Sequence, residues 1–273
     1  MKKFIPLGFI LISSVLFLSL NRDTHHDHSI DTVVENDGPM IDAANAFLET
    51  LSEDQADKAL MTFKEEERFR WFFVPIYRQR KGLSIEEMTD EQRDKTFALL
   101  ETALSQEGME KVSGIMSLES VLREIEQAEY RNPELYYLSI FGNPSKQSPW
   151  GWRYEGHHLS LNFTSVKNEI SVTPAFMGTN PGRVLSGAME GKQVLKAEEE
   201  LARAFFKSLS EDQQKIAVIS NTVPADIFTG NDRKVGKIEM AGITYGQLSS
   251  EQKESFMELL QVGGTCSIVH WLP

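Results

Sequence analysis

Apolar residues recur at helical spacing through residues 41–62, 84–128 and 194–219, with polar residues between them. In the second stretch Phe97, Leu100 and Leu104 carry the pattern, followed by Ile115, Leu118, Leu122 and Ile125. Gly108 is expected to divide that stretch into two helices. Asn132-Pro133 should stop the later one, because the residue before a proline is pushed out of the helical region. Between the helical stretches the period shortens to that of strands. Leu135–Phe141 reads as a strand, Trp152–Val166 as a second, and Glu169–Met177 as a third joined to it by a Lys167-Asn168 hairpin. The order predicts an α+β domain over residues 40–262. Its small antiparallel sheet, about 135–177, is flanked by helical regions on both sequence sides.

The helix starts carry their own chemistry. Leu51-Ser-Glu-Asp-Gln55, Met88-Thr-Asp-Glu-Gln92, Leu209-Ser-Glu-Asp-Gln213 and Leu248-Ser-Ser-Glu-Gln252 each place Ser or Thr three residues before Gln. That is a capping box: the hydroxyl accepts from the third helical amide, and the glutamine reaches back to the cap amide. Acids between them suit the positive end of the helix dipole. Helices should therefore start at Ser52, Thr89, Ser210 and Ser249. The spacing groups them into two pairs around an insert. A duplication is one reading of this recurrence; common helix-start chemistry is the preferred one, and the irregular spacing is not a solenoid period.

Composition narrows the function classes. A net charge of −12 over 273 residues argues against a nucleic-acid partner, which needs a basic face. Lys2-Lys3 precedes an uncharged, mostly apolar run from Phe4 to Leu20, the pattern of a signal peptide or N-terminal anchor. Either would put the rest of the chain outside the cytoplasm, secreted, periplasmic or anchored, with membrane contact only through this segment if it is uncleaved. Residues 21–39 read as a flexible polar linker, including His25, His26 and His28. The single cysteine, Cys266, excludes a disulfide framework and a thiolate metal site. Any divalent metal would have to use His, Asp, Glu or carbonyl oxygen.

The densest chemistry lies in Trp150-Gly-Trp-Arg-Tyr-Glu-Gly-His-His-Leu-Ser-Leu-Asn-Phe163. On one continuous strand, Arg153, Glu155 and His157 share a face with Leu159, Leu161 and Phe163, and that face should meet the core. Trp152, Tyr154, His158, Ser160 and Asn162 then form a polar and aromatic face suited to a ligand. His158 is the expected reactive group, with Glu155 beside it as the second catalytic candidate. Trp152, Tyr154 and Asn162 are the expected ligand contacts. His157 and His158 are the candidate metal ligands, although adjacent strand residues cannot share an ion without a bulge at Gly156. A second candidate is the cationic group Arg78, Arg80 and Lys81, joined by Arg153 and Arg183, which could hold a carboxylate or phosphate. The expected partner is thus a small polar or anionic ligand, bound by an enzyme or by a non-catalytic binding domain. Ser-His-Asp catalysis has no support, since no Gly-x-Ser-x-Gly occurs.

Several phrases occur together and in order: Glu67-Arg68, Trp71, Pro75, Arg80-Lys-Gly-Leu83, Arg131-Asn-Pro-Glu-Leu-Tyr-Tyr137, Phe141-Gly142, the Trp150–Phe163 run, Asn180-Pro181 with Arg183, and Pro224-Ala-Asp-Ile-Phe-Thr-Gly230. In these the chain resembles a family of exported proteins known as a domain of unknown function, DUF 3500, over roughly residues 40–261. The resemblance implies no established activity. It also implies a further segment beyond the last capped helix, with a His-x-His cluster that could complete a metal site. Here Gly263–Pro273 departs from that pattern, so the chain is expected to lack the family's C-terminal segment.

Overall fold

The structure is a computed structural model that describes residues 37–75 and 80–264. The apolar run Phe4–Leu20, His25, His26 and His28, Arg78, Cys266 and His270 lie outside the described residues. No helix among the described residues is long and apolar enough to cross a membrane.

The described residues begin with α1 (Gly38–Leu48), α2 (Glu53–Ala59), α3 (Asp90–Glu101) and α4 (Gln106–Glu126). Two short strands, β1 (Leu60–Met61) and β2 (Leu83–Ser84), lie between α2 and α3. Then come β3 (Tyr137–Phe141), β4 (Trp150–Gly156), β5 (Leu159–Val166) and β6 (Glu169–Met177), followed by α5 (Lys196–Ser208), α6 (Glu211–Ala217) and α7 (Ser250–Gly264). The α+β expectation holds. The sheet runs β1-β3-β4-β5-β6, with β2 also on β3. It is antiparallel except for β1, which lies parallel to β3. Strands of two residues are too short to show a period in sequence, and neither was expected.

Three local expectations are corrected. The long helical stretch divides at residues 102–105 rather than at Gly108. Ser105 caps α4 by accepting from the Gly108 amide at 3.1 Å, so the glycine lies in the first turn. That helix ends at Glu126, before Asn132-Pro133, because Gln127 takes a left-handed conformation with φ 53°. Most consequentially, Trp152–Val166 is two strands. Gly156 pairs with Leu159 across a two-residue turn formed by His157 and His158, and His158 has φ 59°.

That turn sets the faces. Trp152 pairs with Phe163 and Tyr154 with Leu161, whereas Arg153 pairs with Asn162 and Glu155 with Ser160. Directly paired residues share a face. Trp150, Trp152, Tyr154, Leu159, Leu161 and Phe163 therefore point to one side, into a core shared with α1, α3 and α4 through Phe47, Leu99, Leu100, Val112 and Ile115. Trp152 and Phe163 stack at 4.2 Å. Each fully buried side chain of this kind contributes about 1.5–3 kcal/mol. The opposite side carries Arg153, Glu155, Ser160 and Asn162, all buried.

All four expected capping boxes form. Their glutamines do more than cap. The Gln55 and Gln92 amides bond each other reciprocally, at 3.1 and 2.8 Å. Gln213 and Gln252 do the same, at 3.0 and 2.9 Å. The remaining bonds also correspond. Gln92 donates to Thr50 O and Gln252 to Ser208 O, while Gln55 donates to Glu87 O and Gln213 to Gln247 O. Short 3-10 turns at Ile85–Glu87 and Tyr245–Gln247 open on boxes at Ser84 and Thr244. Each follows a positive-φ glycine, Gly82 at 107° and Gly242 at 95°. Independent helix starts would not need matching bonds between helices. Beyond the cap chemistry, which forms as expected, α1–α3 and α5–α7 are thus two helical units that share one arrangement of bonds between helices.

Candidate functional site: the polar face of the sheet

The buried polar face lies under a strap, Glu66–Pro75, that opens with a 3-10 turn at Glu66–Phe69. Arg153 holds it by donating from Nη1 to the carbonyls of Glu67, at 3.0 Å, and Arg70, and from Nη2 to Glu67 Oε1 at 2.8 Å. Arg80 Nη2 donates to the carbonyls of Phe72, Val74 and Gly156. Between the two guanidiniums lies Glu155. Its Oε2 accepts from Phe72 N at 3.0 Å and Ser160 Oγ at 3.2 Å. Its Oε1 faces Arg153 Nε at 3.4 Å and Arg80 Nε at 3.9 Å. Burial pushes the Glu155 carboxyl up, against the pull of Arg153, the Phe72 amide and Arg80. Burial likewise lowers Arg80, and Glu155 opposes that effect. Arg80 Nη2 thus ties the strap to β4, while its buried Nε has no hydrogen-bond partner among the described residues and faces Glu155.

The two histidines sit at the end of this face. His157 Nδ1 lies against Glu119 Oε1, and Arg131 Nη1 is 3.0 Å from the same nitrogen. Arg131 also grips Glu126 through two bonds of 2.8 and 2.9 Å. Tyr136 Oη donates to the His157 carbonyl at 2.9 Å. His158 is tied by its main chain, donating to Phe73 O and accepting from Gly178 N, each at 2.8 Å. Its imidazole is lowered to about 4, first by burial and then by the nearby His157 and Arg131. It is therefore neutral near pH 7. The two rings lie 3.9 Å apart, tilted 39°. One His157 nitrogen is already engaged, and among the described residues no three His, Cys, Asp or Glu side chains form a metal-binding group.

Beyond the strap the polar face opens into a cleft of about 520 Å³. Its floor is Asn162 and Thr164 of β5 with Ser171 and Thr173 of β6. Its walls are Trp71 and Phe176, whose rings are 5.9 Å apart. Phe73 extends this aromatic wall, 4.6 Å from Phe176. The segment Ile227–Val235 closes one side, and Asn231 Nδ2 fastens it to the strap by donating to Trp71 O at 2.9 Å. Two guanidiniums flank the Phe69 ring at the rim, Arg68 at 4.2 Å and Arg233 at 3.7 Å from its centroid. Arg233 has a carboxylate, Glu66, at 3.1 Å. Arg68 donates from Nε to Phe63 O and has no carboxylate partner among the described residues. Burial lowers Arg68, and the charge of Arg233 lowers it further.

The expected site residues are therefore split. Asn162 lines the cleft, oriented by its Nδ2 bonds to Ser160 Oγ and Pro174 O. The face expected to carry Trp152 and Tyr154 is corrected: both side chains pack in the core, because the turn at His157-His158 exchanges the faces of β5 relative to β4, although Trp152 is still among the residues that border the cleft. Glu155 lies under the strap. His158 lies behind the aromatic wall, where a side chain on Gly178 would meet both His158 Nδ1 and the Phe176 ring. Arg183 is exposed and does not line the cleft. Sequence reasoning gave no role to Glu119, Arg131, Arg68 or Arg233. Glu119 did leave a signal, one helical turn after Ile115 on the apolar stripe of α4, where a carboxylate needs a buried partner.

No curated protein and no solved structure matches this chain. A family model does, over residues 35–263, and by that match the chain belongs to the family described as protein of unknown function, DUF3500.

Proposed function

We propose that this protein is a binding domain for a small anionic molecule with an apolar or aromatic body, held in the cleft between the strap, β5, β6 and the Ile227–Val235 segment. The supporting observation is Arg68. A half-buried guanidinium without a carboxylate among the described residues stands beside a second guanidinium, at the rim of a cleft walled by Trp71 and Phe176. Two adjacent cations repel, and an anion between them relieves that repulsion. The hydroxyls of Thr164, Ser171 and Thr173 supply further donors. A small apolar cleft with a few convergent polar groups is the usual form of a ligand site.

The test is thermal unfolding of the purified chain with benzoate, phenylacetate and benzenesulfonate, against benzamide as a neutral control. An anion at about 100 times its Kd should stabilise the fold by about 2.7 kcal/mol. Arg68→Gln should remove that gain, measured against the variant's own unliganded melting temperature, which loss of the Phe63 O bond lowers. No stabilisation by any of the three anions, or a gain that survives Arg68→Gln, would overturn the proposal. The enzymatic reading gives the neutral His158 imidazole the proton-accepting role. It requires a substrate that passes the aromatic wall, and a metal-assisted version requires ligands beyond His157 and His158. The binding reading needs neither. Export, argued from Lys2-Lys3 and the Phe4–Leu20 run, is part of the proposal. A tagged full chain found in the cytoplasm would refute that part.

A further inference from the structure

The two helical units differ in what covers them. In the first, β1 and β2 together form one edge that receives strand β3. Leu60 and Met61 run parallel to Ile140 and Phe141, and Leu83 and Ser84 run antiparallel to Leu138 and Tyr137. The Ile85 amide donates to Tyr136 O, the Glu86 amide to Glu134 O, and Met61 O accepts from Gly142 N. Arg93 of α3 grips Glu134, ahead of the strand, through bonds of 2.7 and 3.2 Å.

In the second unit the same positions are Val218 and Ile219, Ile243 and Thr244, and Lys253. Val218, Ile219 and Tyr245 are exposed. The amides of Tyr245 and Gly246 and the carbonyl of Ile219 have no partner among the described residues. Lys253 has no carboxylate there either; its ammonium lies 5.2 Å from the Tyr245 ring. Gly82 is pressed by β3, since a side chain on it would meet Ser139 Oγ at 2.5 Å and Leu138 O at 2.7 Å. Gly242 keeps the same left-handed conformation with nothing nearer than Ile219 Cγ2 at 3.7 Å.

We infer that the second unit is an open β-strand acceptor for an extended peptide segment of another polypeptide. The occupant runs parallel to Val218–Ile219 and antiparallel to Ile243–Thr244. Its apolar side chains alternate as in Tyr137–Phe141, and it carries an acidic residue three positions before its first paired residue. Lys253 supplies the complementary charge, as Arg93 does in the first unit. Main-chain bonds to an open edge give such a site its affinity, and the alternate side chains and the acid give it specificity.

The probe is a fluorescein-labelled synthetic peptide with the sequence of residues 132–142, titrated into the full chain and read by anisotropy. Saturable one-to-one binding is expected. Ile219→Asp, at an exposed position, should abolish it. Lys253→Glu should weaken it by about five-fold, in the range of an exposed ion pair, and a peptide carrying Glu134→Lys should restore binding to that variant. No saturable binding, or binding indifferent to both variants, overturns the inference. So does sedimentation showing a dimer that Ile219→Asp dissociates without peptide, because a second copy then fills the edge. Peptide binding seen only after residues 265–273 are removed also overturns it, because the chain then fills its own edge.

Discussion

Replacing Gly82 and, separately, Gly242 by alanine isolates the effect of the strand that covers only one helical unit. Both glycines hold a positive φ, 107° and 95°. An alanine in that region costs about 1–3 kcal/mol, less about 0.4–1 kcal/mol regained from a less flexible unfolded chain. At Gly242 little else changes, since the nearest atoms to the new methyl lie at 3.7 and 3.9 Å. At Gly82 the methyl falls 2.7 Å from the carbonyl oxygen of Leu138, in a strand paired on both sides. That oxygen cannot move without disturbing the sheet, so overpacking adds about 1–3 kcal/mol. Gly82→Ala should therefore cost about 1–3 kcal/mol more than Gly242→Ala. Equilibrium urea unfolding followed by circular dichroism measures both, provided the slopes stay equal to that of the parent chain. Equal losses, or a larger loss at Gly242, would refute the claim that β3 presses on one glycine and that nothing presses on the other.

Ser52→Ala and Ser210→Ala should each lower stability by about 0.5–2 kcal/mol in urea unfolding, through loss of a helix cap. Arg153→Ala leaves Glu67 and the buried Glu155 without their shared guanidinium. It should cost about 3–5 kcal/mol and open Glu66–Pro75 to limited proteolysis. The fold holds His158 near 4 against 6.5 in the unfolded chain, so its contribution is complete above pH 6.5 and is lost as pH falls toward 4. His158→Gln should flatten that part of a stability–pH profile, and an unchanged slope would count against a neutral buried imidazole. Glu155, shifted up, acts in the opposite sense and should be followed through Glu155→Gln.

What the sequence disclosed was local chemistry. Ser52, Thr89, Ser210 and Ser249 cap helices where expected, because a cap is decided within four residues. The Lys167-Asn168 turn was legible for the same reason: asparagine tolerates the left-handed conformation that Asn168 shows, with φ 67°. The turn at His157-His158 was not. It has no Gly-Asn signature, and two histidines between apolar alternations read as more strand. On a continuous strand even positions stay with even ones. Across a two-residue turn, Trp152 faces Phe163, and even positions join odd ones. One unseen turn thus moved Arg153 and Glu155 to the polar face and Trp152 and Tyr154 to the core. Of the cleft only Asn162 and Trp152 were legible, since Arg68 and Arg233 come from distant parts of the chain. The cap spacing already grouped the helices into two pairs, but the polar bonds that match between the pairs were hidden, because no periodicity reports them.

The shared arrangement also poses a recognition problem while the chain folds. Leu-Ser-Glu-Asp-Gln stands unaltered at 51–55 and 209–213, and a stray Gln55–Gln252 pair would satisfy the same amides as the native Gln55–Gln92 pair. Discrimination must therefore come from shape. Position 96 in α3 is a fully buried threonine, whereas its counterpart in α7 is Phe256, with its ring 5.3 Å from Phe205. Docking α7 beside α1 would force a phenyl ring into the space of a threonine, and docking α3 beside α5 would leave a void. Both errors cost more than an exchanged amide pair can return. Side-chain volume, rather than hydrogen bonding, keeps each helix with its own unit.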